Sequence, residues 1–503
     1  MRVQPQGLVS SLNLSQLVFL PDYKKLLGNE DSWQELDQEL VFDLALGAYL
    51  LDPEQRDYSW EKLCRAYAGQ QQASQETPGL KTLELGRLLR QQLQQAGLLE
   101  LMLLLELPLI PVLVRMEKRG VAVDLNTLQD FLQQVEDQLQ ELTSRIQNRA
   151  GMEFNPRSTQ QLAEVLFSHL GLKPGRKAPG GAPSTSSQVL EGMQHQHPII
   201  EDILRHRSLE KLRSTYLDPL PRLVDQQGRL HTHFNHLATA TGRLSSSNPN
   251  LQNIPIRGEF GPRMRACFVA GQDRYLVAAD YSQIELRILA HMSQDPHLLQ
   301  AFSQNQDIHA TTAGLLLDKP PEQVTSEERR KAKTINFGLL YGMGPQKLGR
   351  ELGIPLKQAK EFMQKYFSRL KKVSSFYTQV QEKAAQQGYI TTLMGRRRLL
   401  KDINSRNENL AGQARRMAIN TLIQGTAADI IKLAMIQVDA DPVLAKLQAE
   451  LILQVHDELL LEVPQAQAQE AGQRTAGIMS ETVQLSVPLT VEWGLGPNWA
   501  QAH

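Results

Sequence analysis

Two short apolar runs of this sequence each lead into an aspartate. Residues 274–279 (RYLVAA) precede Asp280, and residues 451–455 (LILQV) precede His456 and Asp457, after which the apolar pattern resumes. Short apolar runs bounded by polar residues predict buried strands, and the second run with its continuation predicts a β-hairpin. A single aspartate at a strand end is more often a turn or cap residue. If the two strands are neighbours in one sheet, however, the two carboxylates meet at one point.

Two adjacent carboxylates require a positive charge to hold them together. No Lys or Arg adjoins either aspartate in the sequence, so a divalent metal is the simplest counter-charge. Two such metals about 4 Å apart can activate an attacking hydroxyl and stabilise a leaving phosphate in line with it. The pair Asp280 and Asp457 therefore predicts a metal-assisted reaction at a phosphate.

The charge of the chain is segregated, although its total is zero. The 503 residues include 54 Lys and Arg and 54 Asp and Glu, but residues 329–416 hold 20 basic and 5 acidic side chains, a net charge of +15. This block contains the run Arg396-Arg397-Arg398. Such a block indicates a polyanion site, although Lys and Arg also cover ordinary solvated surfaces. We therefore expect nucleic acid or a nucleotide to bind there.

Four residues of the basic block recur at a spacing of four: Arg329, Lys333, Phe337 and Tyr341. On an α-helix this spacing places them on one broad face. Two cations followed by two aromatic rings suit a nucleoside triphosphate, with charge for the phosphates and rings for the base. An amphipathic helix with its aromatics in the core fits the same spacing, so both interpretations stay open at this point.

A second helix face with the same spacing consists of Arg416, Asn420 and Gln424. Hydrogen-bond donors in such a strip can contact the minor groove of DNA, where every base pair presents acceptors at N3 or O2 in similar positions. The strip could therefore test the shape of a base pair without reading its sequence. A solvated polar face is the alternative interpretation.

Composition excludes several other classes of protein. At 41% hydrophobic residues the chain can bury large cores, and the distant cysteines Cys64 and Cys267 exclude a disulfide scaffold or a Cys-rich zinc site. They fit a reducing compartment, so we expect a cytoplasmic protein. The most apolar stretch, residues 98–114, is interrupted by Glu and Pro, which argues against a membrane partner. Three clustered histidines lack the companions of a zinc finger: His231, His233 and His236.

Coarse secondary structure follows from periodicity and turn residues. Apolar residues at helical spacing predict helices over residues 42–51, 125–150 and 199–223. Stretches rich in Gly, Ser and Pro predict loops at residues 69–79 and 173–187. No internal repeat is present, and residues 1 to about 100 form a separate acidic, Gln-rich unit.

Four segments, in this order, resemble the motifs of family A DNA polymerases of the bacterial DNA polymerase I type. They are ATATGRLSSSNPNLQNIP (residues 238–255), DYSQIELR (280–287), RRKAKTINFGLLYG (329–342) and QVHDEL (454–459). The resemblance begins near Glu106 and implies an α+β, right-hand polymerase fold. It places a thumb at about residues 103–235, a palm at about 236–318 and 417–503, and fingers at about 319–416.

The resemblance also implies roles for individual residues. Asp280 and Asp457 would be catalytic metal ligands, assisted by the backbone carbonyl of Tyr281, with Glu458 as an auxiliary acid near the primer end. The implied cofactor is Mg²⁺, as two ions, for which Mn²⁺ could substitute. The nucleotide-binding residues would be Arg329, Lys333, Phe337, Tyr341, Gln283, His309 and Glu285, the last as a steric gate against a 2′-hydroxyl. The residues lining the primer–template minor groove would be Arg243, Asn250, Gln252, Arg416, Asn420, Gln424 and His456.

Some positions depart from the family pattern. Residues 399–401 (LLK) follow the Arg triplet where the family usually has an aromatic, an aliphatic and a proline, Leu422 stands where proline is common, and Arg415 replaces a usual Glu. None of these is an implied metal ligand. The departures concern fidelity and fine DNA contacts.

Residues 1–102 resemble the end of the family's 3′–5′ exonuclease domain, with residues 42–53 (FDLALGAYLLDP) similar to one of its helices. The segment for the first acidic pair of such a site would precede Met1, and no Tyr-x-x-x-Asp pattern occurs over residues 67–105. We therefore expect an inactive exonuclease-like segment and no 5′ nuclease.

The expected protein is a monomeric DNA-templated DNA polymerase, associated with the bacterial nucleoid, that extends a DNA primer with dNTPs in replication and repair. One rival is a single-subunit RNA polymerase, against which Glu285 argues as the implied gate. Another is a DNA-binding protein that kept the fold without catalysis, against which the intact Asp280 and Asp457 argue.

Overall fold

The computed structural model describes residues 17–29, 40–67, 77–174, 183–255 and 258–503. Helices surround a small set of sheets, which in the described residues are antiparallel except for the parallel pair of residues 18–20 and 41–43, and this agrees with the α+β class. The predicted loops at residues 69–79 and 173–187 fall largely on residues 68–76 and 175–182, outside the described residues.

The first part of the chain packs around its own apolar core. Its elements are β1 (Val18–Leu20), α1 (Tyr23–Asn29), β2 (Val41–Asp43), α2 (Leu44–Leu51), α3 (Trp60–Tyr67), α4 (Pro78–Gln95), α5 (Leu99–Leu101), a π-helical turn (Met102–Glu106) and α6 (Leu107–Arg119). The described residues up to Glu106 are called the N-terminal unit below. The predicted helix at 42–51 begins at Leu44, because residues 41–43 pair in parallel with β1. Asp43 caps it by accepting from the Leu46 N–H at 2.8 Å.

A long helical region follows. Its elements are β3 (Val121–Val123), α7 (Leu125–Ala150), α8 (Thr159–Ala163), a π-helix (Glu164–His169), α9 (Ser187–Glu191), α10 (Ile199–Leu212), a π-helix (Arg213–Leu217) and a 3₁₀ turn (Leu220–Arg222). The predicted helix at 125–150 is confirmed. Asp124 caps its start, and Gly151, with φ of 71°, ends it.

The central strands and the first helices of the basic block come next. They are β4 (Arg229–Leu230), β5 (His233–Asn235), β6 (Ser245–Ser247), a 3₁₀ turn (Leu251–Asn253), α11 (Gly261–Ala266), β7 (Phe268–Val269), β8 (Arg274–Tyr281), α12 (Ile284–Ser293), α13 (Pro296–Ser303), α14 (Ile308–Leu317), a 3₁₀ turn (Pro321–Gln323), α15 (Ser326–Leu340), α16 (Pro345–Leu352), α17 (Leu356–Arg369) and α18 (Lys371–Gln387). A capping box between Thr325 and Glu328 marks the start of α15. The predicted helix over residues 329–341 is confirmed as far as Leu340, and Tyr341 is its C-cap.

The remaining elements return to the main sheet. They are β9 (Tyr389–Thr391), β10 (Arg397–Leu399), α19 (Glu408–Asp439), α20 (Pro442–Lys446), β11 (Glu450–Val455), β12 (Glu458–Pro464), a 3₁₀ turn (Gln465–Gln467), α21 (Ala468–Glu481), β13 (Val491–Gly496) and α22 (Trp499–Ala502). The long helix α19 packs against α6, α12, α18 and α21, and so connects the N-terminal unit with the sheet.

The main sheet has four antiparallel strands in the order β11-β12-β8-β13. The predicted hairpin is confirmed as β11 and β12. The strand predicted over residues 451–455, β11, is not a neighbour of β8, but its hairpin partner β12 pairs with β8 along its whole length. In this register Asp280 lies opposite Glu458 on β12 and Glu492 on β13. Asp457 occupies the hairpin turn beside them.

A buried network of four charges joins distant parts of the chain. Arg396 forms ion pairs with Glu106 and with Asp429, whose Oδ1 lies 2.7 Å from the arginine Nε. Lys432 Nζ lies 2.8 Å from Glu106 Oε1, and all four side chains are 3% exposed or less. Two positive and two negative charges balance, which is the condition under which burial of ions is tolerated.

No single helix among the described residues is long and apolar enough to cross a membrane. The helical segments Pro78–Gln95 and Leu99–Arg119 pass a length and composition test when joined, but they are bent by 114° at the break between them.

The packing of α21 on the sheet yields a test of the fold. Gly472 lies against the ring of Trp493 on β13, and a Cβ at this position would overlap the ring. We expect Gly472→Ala to destabilise the protein by about 1–3 kcal/mol, because the ring must shift in a packed environment. Thermal unfolding followed by circular dichroism measures the effect.

Gly477 on the same helix provides the control, since a Cβ there would meet no atom within 4 Å. Gly477→Ala should leave stability unchanged or raise it by up to about 1 kcal/mol. Equal melting temperatures for the two variants would contradict the packing described here.

Candidate functional site

Asp280 and Asp457 lie side by side at one end of the main sheet, where β8 ends and the turn between β11 and β12 begins. The Tyr281 N–H donates to the backbone oxygen of Asp457 at 3.2 Å, which ties the end of β8 to the hairpin turn. Within the described part of the chain, neither carboxylate group forms a hydrogen bond or an ion pair with a protein side chain or backbone group. The sheet therefore brings together two acids that the protein itself leaves without a direct partner.

Burial perturbs both acids, and repulsion adds to its effect at Asp280. Desolvation, together with the negative charges of Asp457 and Glu458, raises the pKa of Asp280 to about 7. Desolvation also raises the pKa of Asp457, while the guanidinium of Arg243 opposes that rise. A bound cation would relieve both effects, because it restores the favourable environment that the carboxylates lost on burial.

Glu458 differs from the two aspartates because it already has protein partners. Its Oε1 accepts from the indole N–H of Trp499 at 2.7 Å, and its Oε2 lies 3.4 Å from the guanidinium of Arg265. Arg265 in turn stacks over the Trp499 ring, with its Cζ 4.1 Å from the ring centroid. The three buried side chains support the floor of the site, and the carboxylate of Glu458 is not free in this arrangement.

Glu285 lies in the first turn of α12, next to the aspartates. This buried carboxylate forms an ion pair with Arg243 and accepts a hydrogen bond from the Tyr341 hydroxyl. Desolvation raises the pKa of Glu285, and Arg243 and Tyr341 oppose the rise. Gln283, with φ of 54°, immediately precedes the helix and turns the chain into it. Glu285 therefore connects Arg243 to Tyr341 at the end of α15.

The four residues predicted to share one face lie on α15 and at its C-cap, and the two aromatic residues pack against the core. The Phe337 ring packs on the core and lies 6.5 Å from the Tyr341 ring and 5.6 Å from His309. Arg329 Nε lies 2.5 Å from Asp307 Oδ2. The aromatics are half-buried and the arginine is exposed, so the face has a cationic end near the start of α15 and an aromatic end near its C-terminus.

His309 lies next to this face of α15 and is held in its neutral form. Burial lowers its pKa to about 4, and the positive charges of Lys333 and Arg329 contribute in the same direction. Its Nδ1 lies 3.1 Å from the side-chain amide nitrogen of Asn336 on α15. This contact orients the ring toward the helix face that carries the cations.

The predicted minor-groove residues lie in two groups. Arg243, Gln252, His456 and Asp457 line one small cavity, in which Gln252 Nε2 donates to Gln454 Oε1 at 3.0 Å. The second group lies along α19, where Arg416 packs against Gly342 and where Asn420 Oδ1 is buried without a hydrogen-bond partner.

The other residues of these groups contribute differently. Asn250 caps the 3₁₀ turn over residues 251–253 and so serves the backbone in this structure. His456 is exposed in the hairpin turn with φ of 54°. Gln424 lies on α19 one turn beyond Asn420.

The Arg triplet requires a correction. We expected residues 396–398 to belong to the polyanion-binding surface, but Arg396 is buried in ion pairs with Glu106 and Asp429. Arg398 donates to Thr421 and pairs with Glu54. The partner Glu106 is 290 residues away in sequence, so no local pattern could have revealed the pairing.

Sequence reasoning also missed several partners of the site residues. Arg265 and Trp499 hold Glu458, and Asp307 holds Arg329. None belongs to a periodic pattern with the residue that it contacts. The three clustered histidines do not form a common site: His231 contacts Asp225, His233 contacts Glu117, and His236 is buried.

Comparisons with known proteins show which family this chain belongs to. The sequence model of DNA polymerase family A matches residues 125–501. The thermostable DNA polymerase I of Thermus thermophilus is 45% identical over 463 residues, covering 92% of this chain and 55% of that protein. The DNA polymerase I of Treponema pallidum is 41% identical over 485 residues, covering 92% of this chain and 48% of that protein. The chain thus spans about half the length of the curated relatives that it matches.

A solved structure is similar as well. The POL domain of Pol1 from M. smegmatis, in complex with DNA primer-template and dNTP, aligns with a TM-score of 0.86 at 38% sequence identity. The alignment covers 92% of this chain and 82% of that chain.

The perturbed carboxyl of Asp280 predicts a pH-dependent loss of stability. With a pKa of about 7, the folded protein binds this proton more tightly than the unfolded chain, whose carboxyl pKa is about 3.9. Stability of the metal-free protein therefore falls as the pH rises toward 7, and the full penalty applies above it. We expect Asp280→Asn to stabilise the protein by about 2–4 kcal/mol at pH 8 and by about 1 kcal/mol at pH 5, where only part of the penalty applies. Thermal unfolding in the presence of a chelator measures both values.

Glu492→Gln is the matched control, because Glu492 is an exposed carboxylate opposite Asp280 on the neighbouring strand. It should show no comparable gain at pH 8. A gain for Asp280→Asn that is the same at both pH values would refute the raised pKa.

Proposed function

Because the chain belongs to DNA polymerase family A, we propose that it extends the 3′ end of a DNA primer on a DNA template with dNTPs and releases pyrophosphate. The observation that carries this proposal is the pair Asp280 and Asp457, half-buried side by side with no hydrogen bond or ion pair from the described residues to either carboxylate, near a helix that carries cations and aromatic rings. Such a site suits the transfer of a nucleotidyl group from a triphosphate.

We infer that the two aspartates bind divalent metal, Mg²⁺ in the first place and Mn²⁺ as a substitute. Carboxylate oxygens are the hard ligands that these cations prefer, and the raised pKa values of both acids fit a site that gains a cation. In the described residues no three His, Cys, Asp or Glu side chains gather to form a complete metal site. The carbonyl of Tyr281 and the bound nucleotide would supply further ligands. The bound metals would activate the primer hydroxyl and stabilise the departing pyrophosphate.

The nucleotide would lie along α15. Arg329 and Lys333 would hold the phosphates, assisted by neutral His309 as a hydrogen-bond donor and by Gln283. Arg329 must first leave Asp307, its partner at 2.5 Å, to do so. Phe337 would pack on the sugar and base.

Glu285 and Tyr341 would control access to the same position. The carboxylate of Glu285 is buried and held from two sides, so it offers a fixed wall beside the sugar. A 2′-hydroxyl would contact this wall, which favours deoxynucleotides over ribonucleotides. Tyr341, which donates a hydrogen bond to Glu285, would occupy the position of the template base until the nucleotide binds.

The DNA would lie against the two groups of minor-groove residues. Arg243, Gln252 and His456 line the cavity that includes Asp457, which puts donors next to the primer end. The buried Oδ1 of half-buried Asn420 is a further polar group without a hydrogen-bond partner among the described residues, and Arg416 and Gln424 flank Asn420 on α19. Asn250 would add a contact once its capping bonds rearrange.

The division into subdomains is a proposal as well. We assign thumb, palm and fingers to the ranges that the resemblance implies, and the separate apolar clusters around residues 20–114 and 146–204 support distinct N-terminal and thumb-tip cores. A monomeric state and a cytoplasmic, nucleoid-associated location stay predictions.

Primer extension tests the proposed reaction. We expect Asp280→Asn and Asp457→Asn each to lower the rate of dNTP incorporation by about 10²–10³-fold or more, because each removes a charge that the transition state requires. Binding of the labelled primer–template, measured by fluorescence anisotropy, should persist. Glu492→Gln removes a carboxylate from the adjacent strand and should retain extension.

The same assay separates the rival functions. Extension with ribonucleotides alone at rates similar to those with dNTPs would favour an RNA polymerase. Unchanged extension in both aspartate variants would refute the mechanism, and DNA binding without extension in the wild type would favour a non-catalytic protein.

We also propose that the chain does not excise mismatched primer ends. Acids of the N-terminal unit already serve structural contacts: Asp43 caps α2, Glu54 pairs with Arg398, and Asp57 pairs with Lys62. A primer with a mismatched, labelled 3′ end should therefore keep its length during incubation with Mg²⁺ and no dNTP. Shortened products at a rate proportional to enzyme concentration would contradict this.

A further inference from the structure

We propose that the N-terminal unit is a positioning element of the polymerase site, and that Tyr49 and Arg396 are positioning residues for the contact between Arg243 and Glu285. The link is the turn formed by residues 239–243, which lies between the N-terminal unit and the gate. This inference rests on the proposed function and adds to it a role for a segment whose sequence predicted only an inactive remnant.

The first hold on the turn comes from α2. Tyr49 is 1% exposed, and its hydroxyl donates to the backbone oxygen of Thr239 at 2.7 Å. The same oxygen accepts from the Gly242 N–H at 3.3 Å, and the Thr239 hydroxyl donates to the Arg243 oxygen at 2.7 Å. The Tyr49 hydroxyl thus forms a hydrogen bond with Thr239, and the two other hydrogen bonds of Thr239, with Gly242 and Arg243, close the turn.

The second hold comes from the buried charge network. Gly242 has φ of 83°, and a Cβ at this position would overlap the Nε and Cζ of Arg396. The turn therefore packs directly against the Arg396 side chain. Arg396 is in turn held by Glu106, the last residue of the N-terminal unit, and by Asp429 on α19. Lys432 fixes Glu106 from the other side.

The turn delivers Arg243 to the site. The Arg243 guanidinium forms the ion pair with Glu285, and Glu285 accepts the hydroxyl of Tyr341. The charge of Arg243 also lowers the pKa of Asp457 against the effect of burial. A small movement of the turn would therefore change the position of the gate carboxylate and the electrostatics of one of the two aspartates.

A purely structural role for the N-terminal unit makes a different prediction. If the unit only adds buried surface, loss of a hydrogen bond within it should lower stability and leave nucleotide selection untouched. If it positions the turn, the bond from Tyr49 to Thr239 should affect selection more than an equivalent bond elsewhere in the unit.

Tyr49→Phe and Tyr58→Phe test this difference. Tyr58 belongs to the same unit, packs edge-on against Tyr49 with ring centroids 5.8 Å apart, and donates its hydroxyl to the Asp52 oxygen at 2.9 Å, away from the turn. Both variants lose one hydroxyl and keep the ring. Single-nucleotide incorporation by the full chain gives kcat and KM for a dNTP and for the matching ribonucleotide, and thermal unfolding gives stability.

We expect Tyr49→Phe to lower the ratio of kcat/KM for the dNTP to kcat/KM for the ribonucleotide by about three- to tenfold, the effect of one hydrogen bond. Tyr58→Phe should keep the wild-type ratio at a similar melting temperature. An unchanged ratio in Tyr49→Phe, or an equal fall in both variants, would overturn the positioning role. Absence of extension by the wild type would instead refute the proposed function.

Discussion

The antiparallel pairing of β8 with β12 is the constraint on which the site depends. Because the register places Asp280 opposite Glu458, it also places Asp280 beside the hairpin turn that carries Asp457. A shift of one residue would turn Asp280 to the other face of the sheet. The apolar residues of both strands prevent such a shift, since they are buried along almost their whole length. Core packing thereby sets the distance between two like charges that repel each other.

The two neighbouring carboxylates are electrostatically unfavourable at this site, and the surrounding charges limit the unfavourable energy. Burial raises the pKa of both aspartates, whereas the neighbouring acids Glu285 and Glu458 are each paired with an arginine. The protein thus neutralises the acids that shape the site and leaves the two that would bind metal without a partner. This distribution of partners is the strongest structural argument for their different roles.

The buried network around Arg396 links parts of the chain that have separate hydrophobic cores to the same site. Glu106 ends the N-terminal unit, Arg396 precedes β10, and Asp429 and Lys432 belong to α19. Removal of one member of a buried network leaves an uncompensated charge, which is strongly destabilising. Lys24 adds a second connection, because its Nζ donates to the Phe234 oxygen at 2.6 Å. The proposed positioning role follows from these connections.

Local patterns in the sequence were sufficient to predict the strands that end at Asp280 and Asp457, the helix over residues 125–150 and the shared face of Arg329, Lys333, Phe337 and Tyr341. Periodicity encodes these features directly, because a strand or helix places its own residues on faces at a fixed spacing. The tertiary structure alone decided which charges are neutralised. Arg396, counted in the sequence as part of a basic surface, is buried against Glu106, and Glu458 is held by Arg265 and Trp499. Such pairs join residues far apart in the chain, so no local spacing specifies them. Only the packed fold determines which acids remain without a protein partner and are therefore free to bind a metal.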